Sequence, residues 1–366
     1  VRAMLYLLSQ FSDHFGPLRL FDYVTFRAGG AALTAFLLVI LLGGWTARKL
    51  KALNAQAATR LEGLVPAEFI DREKDRTPCM GGVLLIGATL VSSVLWNQID
   101  DPISIVLILS TLGFSLIGFY DDFMKVVYKR RDGIPGRAKL AGQFLVAGLA
   151  VWSLSSIPEL RELMRQLMVP FLKEPVYSGF WTLPFAVIVI VGASNAVNLT
   201  DGKDGLATGC TIFCTLTYAV FAYLMGHRIF AGHLNIPYLM GAEEAMVFAA
   251  AVCGACIGFL WHNCHPASMF MGDTGSLALG GAVGLLAVIV RQELLLILVG
   301  GVYVMEAVSV ILQVASFRMT GKRIFLCAPI HHHFERKGWT ETQIVVRFWI
   351  LAGVFALMAL ATLKLR

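Results

Sequence analysis

The sequence predicts an all-α polytopic membrane protein of about ten transmembrane helices, with its active site in a cleft on the cytoplasmic side. Three observations predict it. The chain is 57% hydrophobic and only 15% charged, with mean hydropathy +0.71, whereas a soluble domain is usually about 25% charged. Its apolar residues gather into ten runs near the length that crosses a bilayer, roughly 17–25 residues. Its cations and carboxylates collect between alternate runs, so that one face carries most of the chemistry.

The runs fall at 26–45, 80–96, 103–120, 138–157, 183–197, 206–225, 245–261, 276–290, 294–317 and 345–363. No fixed-period repeat or low-complexity segment divides them, so residues 1–366 read as one integral membrane domain. The first 27 residues lack a basic start followed by an apolar stretch and a small-residue cleavage site, so no cleavable signal is expected. Most of the seven cysteines lie inside apolar runs, which argues against a disulfide framework. The net charge of +6 is spread as short clusters between runs, which suits membrane topology and not nucleic-acid binding. Of the 30 lysines and arginines, 20 fall in segments 46–79, 121–139, 198–205, 262–275 and 318–347. By the positive-inside rule those segments are cytoplasmic and both termini face the opposite side.

Four constellations share that face. Between two apolar runs lies Asn195-Ala196-Val197-Asn198-Leu199-Thr200-Asp201-Gly202-Lys203-Asp204-Gly205-Leu206-Ala207. Two carboxylates three residues apart, each beside a glycine, offer hard oxygens to a divalent cation or acceptors to a sugar or base. The plainer reading is a membrane-surface turn. Asp121-Asp122 ends the third run; neighbours on a helix point about 100° apart, so the pair is not expected to grip one ion equally. Lys125, one turn on, can neutralise Asp121 or hold a phosphate. A carboxylate pair at a membrane boundary is costly without a partner, although a solvated helix end is the bland alternative. In Asn263–Ser276, Asp273 stands between Gly272 and Gly275 at the start of a new run, either as a metal ligand or as a helix cap. In Pro329-Ile330-His331-His332-His333-Phe334-Glu335 the three imidazoles diverge and can serve as proton donor, phosphate contact and structural partner, unless the run is merely solvated.

Other signals carry less. Cys253 and Cys256 with His262, Cys264 and His265 resemble a zinc arrangement, but both cysteines lie within an apolar run where small residues serve packing. Glu306 and Gln313 fall inside the ninth run and are expected to face the bundle interior, as hydrogen-bonding groups or as the lining of a substrate groove. Oxygen-rich clusters in basic surroundings suggest Mg²⁺-assisted phosphate chemistry. No Walker-type lysine loop is present, which speaks against P-loop nucleotide hydrolysis.

These motifs, with Thr77-Pro78-Cys79-Met80-Gly81-Gly82, Phe270-Met271-Gly272-Asp273 and 328–334, resemble those of the bacterial phospho-N-acetylmuramoyl-pentapeptide transferases over nearly the whole chain. The triple histidine resembles the muramoyl branch of the polyprenyl-phosphate sugar-1-phosphate transferases. The resemblance implies ten spans, a homodimer, Mg²⁺, a bacterial inner-membrane location and transfer from UDP-N-acetylmuramoyl-pentapeptide to undecaprenyl phosphate, giving lipid I and UMP. It implies Asp121 and Asp122 as the essential pair, Asp273 as the Mg²⁺ ligand, and Asn198, Asp201 and Asp204 as the nucleotide-handling loop. His331 is expected to act in catalysis. Lys74, Lys125, Asn263, Phe270, Gln313, His332 and His333 are expected to contact substrate.

Three departures stand out. Lys203 replaces the usual leucine, Arg76-Thr77-Pro78-Cys79 replaces a Gly-Thr-Pro-Thr sequence, and His262 and His265 stand where aromatic residues are common. Lys203 places a cation beside the expected uridine pocket, which brings nucleotide affinity into question and not the reaction type. Two rivals are the same transfer from UDP-N-acetylglucosamine and, from another class, a secondary transporter using Glu306 and the aspartates for coupling. A transporter would place its charges near the midplane and often shows internal repeats.

Overall fold

The computed structural model describes residues 5–53, 55, 77–130, 133–172 and 174–364. Two short 3₁₀ turns precede α1 (Val24–Ala52), and α2 (Gly82–Trp96), α3 (Pro102–Val126) and α4 (Gly136–Ser156) follow. A short α5 (Pro158–Met164) and an antiparallel pairing of β1 (Gln166–Leu167) with β2 (Tyr177–Ser178) lead to α6 (Thr182–Thr200) and α7 (Leu206–Gly226). Next come α8 (Arg228–Leu234), α9 (Ala242–Asn263) and α10 (Gly272–Ile289). The chain closes with α11 (Leu296–Val299), α12 (Gly301–Thr320), α13 (Ile330–Arg336) and α14 (Glu341–Ala361).

Among the described residues nine helices are long and apolar enough to cross a membrane. α2 is the short one: 15 residues reach about 22 Å at 1.5 Å per residue, against a hydrocarbon core of about 30 Å. It sits against α1, α3, α9 and α10. Two expectations need correction. The ninth run is not one helix, because the chain breaks at Gly300 between α11 and α12. The fifth run does not stop at Val197, since α6 continues to Thr200 and carries Asn195 and Asn198 on its last turns.

The hub is α10, whose apolar window is 89% buried, with α3 and α6 packed along it. No hydrophobic drive separates helix from lipid inside a bilayer, so close van der Waals packing has to hold such contacts. Small residues permit it: Gly280 lies against Ala193 and Ser194 of α6, and Gly281 against Phe114 of α3. On the far side from the carboxylates, Arg27 of α1 pairs with Glu244 of α9 at 2.6 Å, both buried. Glu244 also accepts from the Gln98 N–H at 2.8 Å and from Asn97 Nδ2, so the buried ion is both paired and hydrogen-bonded. Asp101 caps α3 by accepting from the Ser104 N–H at 2.8 Å.

Candidate active site

A helix N-terminus leaves its first N–H groups without partners. At α10 these are met from outside the helix, because Asp122 Oδ1 accepts from the Asp273 N–H at 3.1 Å. Its Oδ2 accepts from the Thr274 N–H at 2.9 Å and the Thr274 hydroxyl at 2.6 Å. Gly118, one turn before, makes that approach possible: a Cβ there would lie 2.1 Å from the Asp273 carbonyl oxygen. Asp122 therefore aims the first turn of α10, and with it Asp273.

Asp121 points elsewhere, as the 100° offset predicts. Its Oδ1 accepts from the Ile134 N–H at 2.9 Å, and its Oδ2 pairs with Lys125 one turn on. Lys125 also donates to Asp273 Oδ2 at 2.9 Å, and Lys139 pairs with the same oxygen while lying 3.6 Å from Asp121. Asn198 Nδ2 donates to Asp273 Oδ1 at 2.9 Å and to Ser276 Oγ at 2.8 Å. One ligand oxygen from each of Asp121, Asp122 and Asp273 lies within 4.8 Å of the others. Three hard oxygen donors this close could hold a metal ion, for which Lys125 and Lys139 compete at Asp273. The expectation that Asp121 and Asp122 diverge therefore holds for their hydrogen bonds, yet both still border one cluster.

The polar turn after α6 lies beside this cluster. Burial pushes the Asp201 carboxyl well above its usual range, and the neighbouring carboxylates Asp273, Asp122 and Asp204 push it further. Asp204 Oδ2 accepts from the Ala267 N–H at 3.2 Å and sits 3.1 Å from His265 Nδ1. Asn263 clasps the turn from α9, where its Oδ1 accepts from the Gly205 N–H at 3.1 Å and its Nδ2 donates to the Met269 carbonyl at 3.1 Å. The Asn263 side chain thus engages backbone on both sides.

The three histidines lie on α13; their hydrogen-bond partners differ, but the His331 and His332 rings do not diverge and lie 4.2 Å apart, centroid to centroid. His331 is buried, with Nδ1 donating to the carboxylate of Glu306 at 3.0 Å. Burial lowers its pKa despite that carboxylate. Its Nε2 faces Gly202, where a Cβ would come within 2.6 Å. His332 pairs with Glu335 at 2.9 Å. His333 Nδ1 accepts from the Leu326 N–H at 3.1 Å.

Of the remaining expected contacts, Phe270 is half-buried and joins the 77–82 motif to α10. Its N–H donates to the Pro78 carbonyl and its carbonyl accepts from the Gly81 N–H, each at 2.8 Å. Gln313 does not face the bundle interior as Glu306 does. Its Oε1 accepts from the Ile324 and Phe325 N–H groups at 3.1 and 2.9 Å, and it lines a groove of about 360 Å³ with Val310, Val314, Phe317 and Arg323. Lys74 lies outside the described residues. Lys203 is not a bare cation: its Nζ lies 2.5 Å from Glu335 Oε1 and 3.9 Å from Glu341 Oε2.

Four residues at the cluster or its turn escaped sequence reading, namely Lys139, Thr274, Glu335 and Glu341. Lys139 is the most central. Its signal was a basic residue in the first turn of a helix, which reads equally as topology.

A helical bundle with a carboxylate–lysine cluster buried at one end is the architecture of a membrane-embedded enzyme of phosphate chemistry. Residues 104–291 match the model of the family described as Glycosyl transferase family 4. The chain is 48% identical over 366 residues to the phospho-N-acetylmuramoyl-pentapeptide-transferase of Methylacidiphilum infernorum, covering 99% of this chain and 100% of the relative. It is 47% identical to the enzyme of that name from Neisseria meningitidis serogroup A, covering 99% and 100%, and 47% to that of Desulfotalea psychrophila, covering 99% of each. The chain belongs to the phospho-N-acetylmuramoyl-pentapeptide-transferase family.

Proposed function

We propose that this protein transfers phospho-N-acetylmuramoyl-pentapeptide from its UDP donor to undecaprenyl phosphate, giving lipid I and UMP in the first membrane step of peptidoglycan synthesis. Full-length identity to relatives of that name carries the reading, and the Asp121, Asp122 and Asp273 cluster is its proposed centre. In the reaction an oxygen of the lipid phosphate attacks the β-phosphorus of the donor. The P–O bond to the α-phosphate breaks, and UMP leaves with that electron pair. Two anions must meet, so neutralising charge dominates the barrier.

Lys125 and Lys139 are placed to supply part of that charge, since both already sit on carboxylates of the cluster. Mg²⁺ held on Asp273, with Asp121 and Asp122 beside it, supplies the rest when bound. A phosphate monoester has its second pKa near about 6, so the acceptor is largely dianionic at neutral pH and needs no obligatory base. We therefore assign Asp121 to orienting the acceptor phosphate and Asp122 to aiming Asp273. Asp201 and Asp204 are assigned to the nucleotide, with Asn198 orienting Asp273 and Asn263 holding the turn. His331 shapes the turn beside Gly202 and Glu306, His332 reaches it through Glu335 and Lys203, and His333 holds the segment at Leu326. The rival route forms an aspartyl phosphate first; a phosphorylated enzyme trapped with donor alone would overturn direct attack.

The groove beside α12, with Val310, Val314 and Phe317 along it, suits the apolar tail of the acceptor. The same reading puts the cluster on the cytoplasmic face of the bacterial inner membrane, both termini opposite, in a homodimer. The decisive comparison is donor choice. UMP release from the muramoyl-pentapeptide donor, with none from UDP-N-acetylglucosamine, is the expected result; the reverse preference would overturn the assignment.

A further inference from the structure

Lys203 is buried, its side chain only 7% exposed, which is rare for lysine unless the charge is paired. The pairing joins distant segments. Glu335, on the seven-residue α13, is 132 positions away and meets the ammonium at 2.5 Å. Glu341 opens α14, and while its Oε2 lies 3.9 Å from Lys203, its Oε1 accepts from the Asp204 N–H at 3.1 Å. The turn of residues 201–205 is thus tied to both elements that follow α12. Beside it His331, bonded to Glu306, packs its Nε2 edge against Gly202 without a hydrogen bond to the turn. The charge balance makes the ammonium central. While the Asp204 carboxylate turns to His265 and the Ala267 N–H, the carboxylates of Glu335 and Glu341 converge on Lys203. Its influence shows at Glu335, whose carboxyl is held down at about 2 by the hydrogen bond from His332 and then by Lys203.

We propose that Lys203 is a positioning residue: its ammonium latches the turn carrying Asp201 and Asp204 onto α13 and the start of α14, fixing the donor-binding turn against the histidine helix. This rests on the reading that the turn handles the nucleotide end of the donor. A short helix such as α13 has little stability of its own and takes its place from tertiary ties. Removing the ammonium breaks the ion pair that joins the turn to α13 and the weaker approach to Glu341, so turn and helix separate. The chemistry at Asp121, Asp122 and Asp273 is untouched, so the loss falls on donor binding.

The test compares wild type with Lys203→Met, Lys203→Arg and Glu335→Gln in full-length enzyme. Lys203→Met is expected to raise the donor KM about tenfold, the scale of a partly desolvated charge pair, with kcat and the KM for undecaprenyl phosphate within about twofold. Amide exchange should quicken in 201–205 and 330–336 and stay unchanged in the first turns of α10. Lys203→Arg should restore both readouts, and Glu335→Gln should show a smaller rise in donor KM because Glu341 remains. An unchanged donor KM, an equal loss in kcat and both KM values, or failure of arginine to restore would each overturn the latch. If wild type does not turn over the donor, the transfer reading fails. The latch is then judged on amide exchange alone, where unchanged protection in both segments refutes it.

Discussion

Replacing Asp122 separates aiming from chemistry. Its carboxylate accepts three hydrogen bonds from the first turn of α10. Bonds to a charged group are worth about 1.5–3 kcal/mol each, which sets a ceiling of about 9 kcal/mol for three. The effects are not additive, and removal of ordinary helix caps costs about 0.5–2 kcal/mol. Asp122→Ala should therefore cost about 2–4 kcal/mol, and Asp122→Asn, which keeps one acceptor oxygen, about 1–2 kcal/mol. At about 2 °C per kcal/mol the alanine variant should melt about 4–8 °C lower in detergent. Its kcat should collapse because Asp273 is no longer aimed. The Mg²⁺ concentration for half-maximal rate should move far less in Asp122→Asn than in Asp273→Asn, which alters the proposed ligand itself. Thermal unfolding and Mg²⁺ titrations of UMP release read both quantities. An unchanged melting temperature in Asp122→Ala, or a Mg²⁺ shift in Asp122→Asn as large as in Asp273→Asn, would refute the aiming role.

Other expectations follow from single contacts. Lys139→Met removes one of two ammonium groups on Asp273 and should lower kcat about 100-fold, while lowering the Mg²⁺ requirement because less positive charge competes for the carboxylate; a raised requirement would contradict it. Gly118→Ala drives a Cβ into the Asp273 backbone and should cost at least about 1–3 kcal/mol with most of the activity, measured by melting and turnover. Arg27→Met strands the buried Glu244 and should destabilise by about 3–5 kcal/mol, with little change in the donor KM of the protein that remains folded. Burial raises Asp101 to about 6, and the nearby Glu244 adds to it. A raised carboxyl favours folding below its unfolded pKa, and that advantage is lost as pH rises through about 6. Asp101→Asn, which keeps an N-capping oxygen, should therefore raise the melting temperature at pH 8 relative to wild type and not at pH 4.

Much of this was legible because hydropathy reports span length and charge reports sidedness. The long spans and the gathering of Asp121, Asp122, Asp201, Asp204, Asp273 and the histidines at one end all follow from patterns local to the chain. The break at Gly300 was visible only as a glycine pair within an apolar run, which packing could equally have kept helical. Asp122 as a cap for α10 was hidden because the donors it meets lie 151 and 152 residues away. The same holds for Lys203, which beside a uridine pocket read as an intrusive charge. Its partners Glu335 and Glu341 come close only once α13 and α14 fold over the turn.

The most direct measurement mixes purified protein with UDP-N-acetylmuramoyl-pentapeptide, undecaprenyl phosphate and Mg²⁺, and follows UMP and lipid I together, with Asp273→Ala alongside. Equal amounts of both products, requiring the lipid, Mg²⁺ and Asp273, are the predicted result. UMP release without lipid I, or full activity in Asp273→Ala, would contradict transfer at this carboxylate cluster.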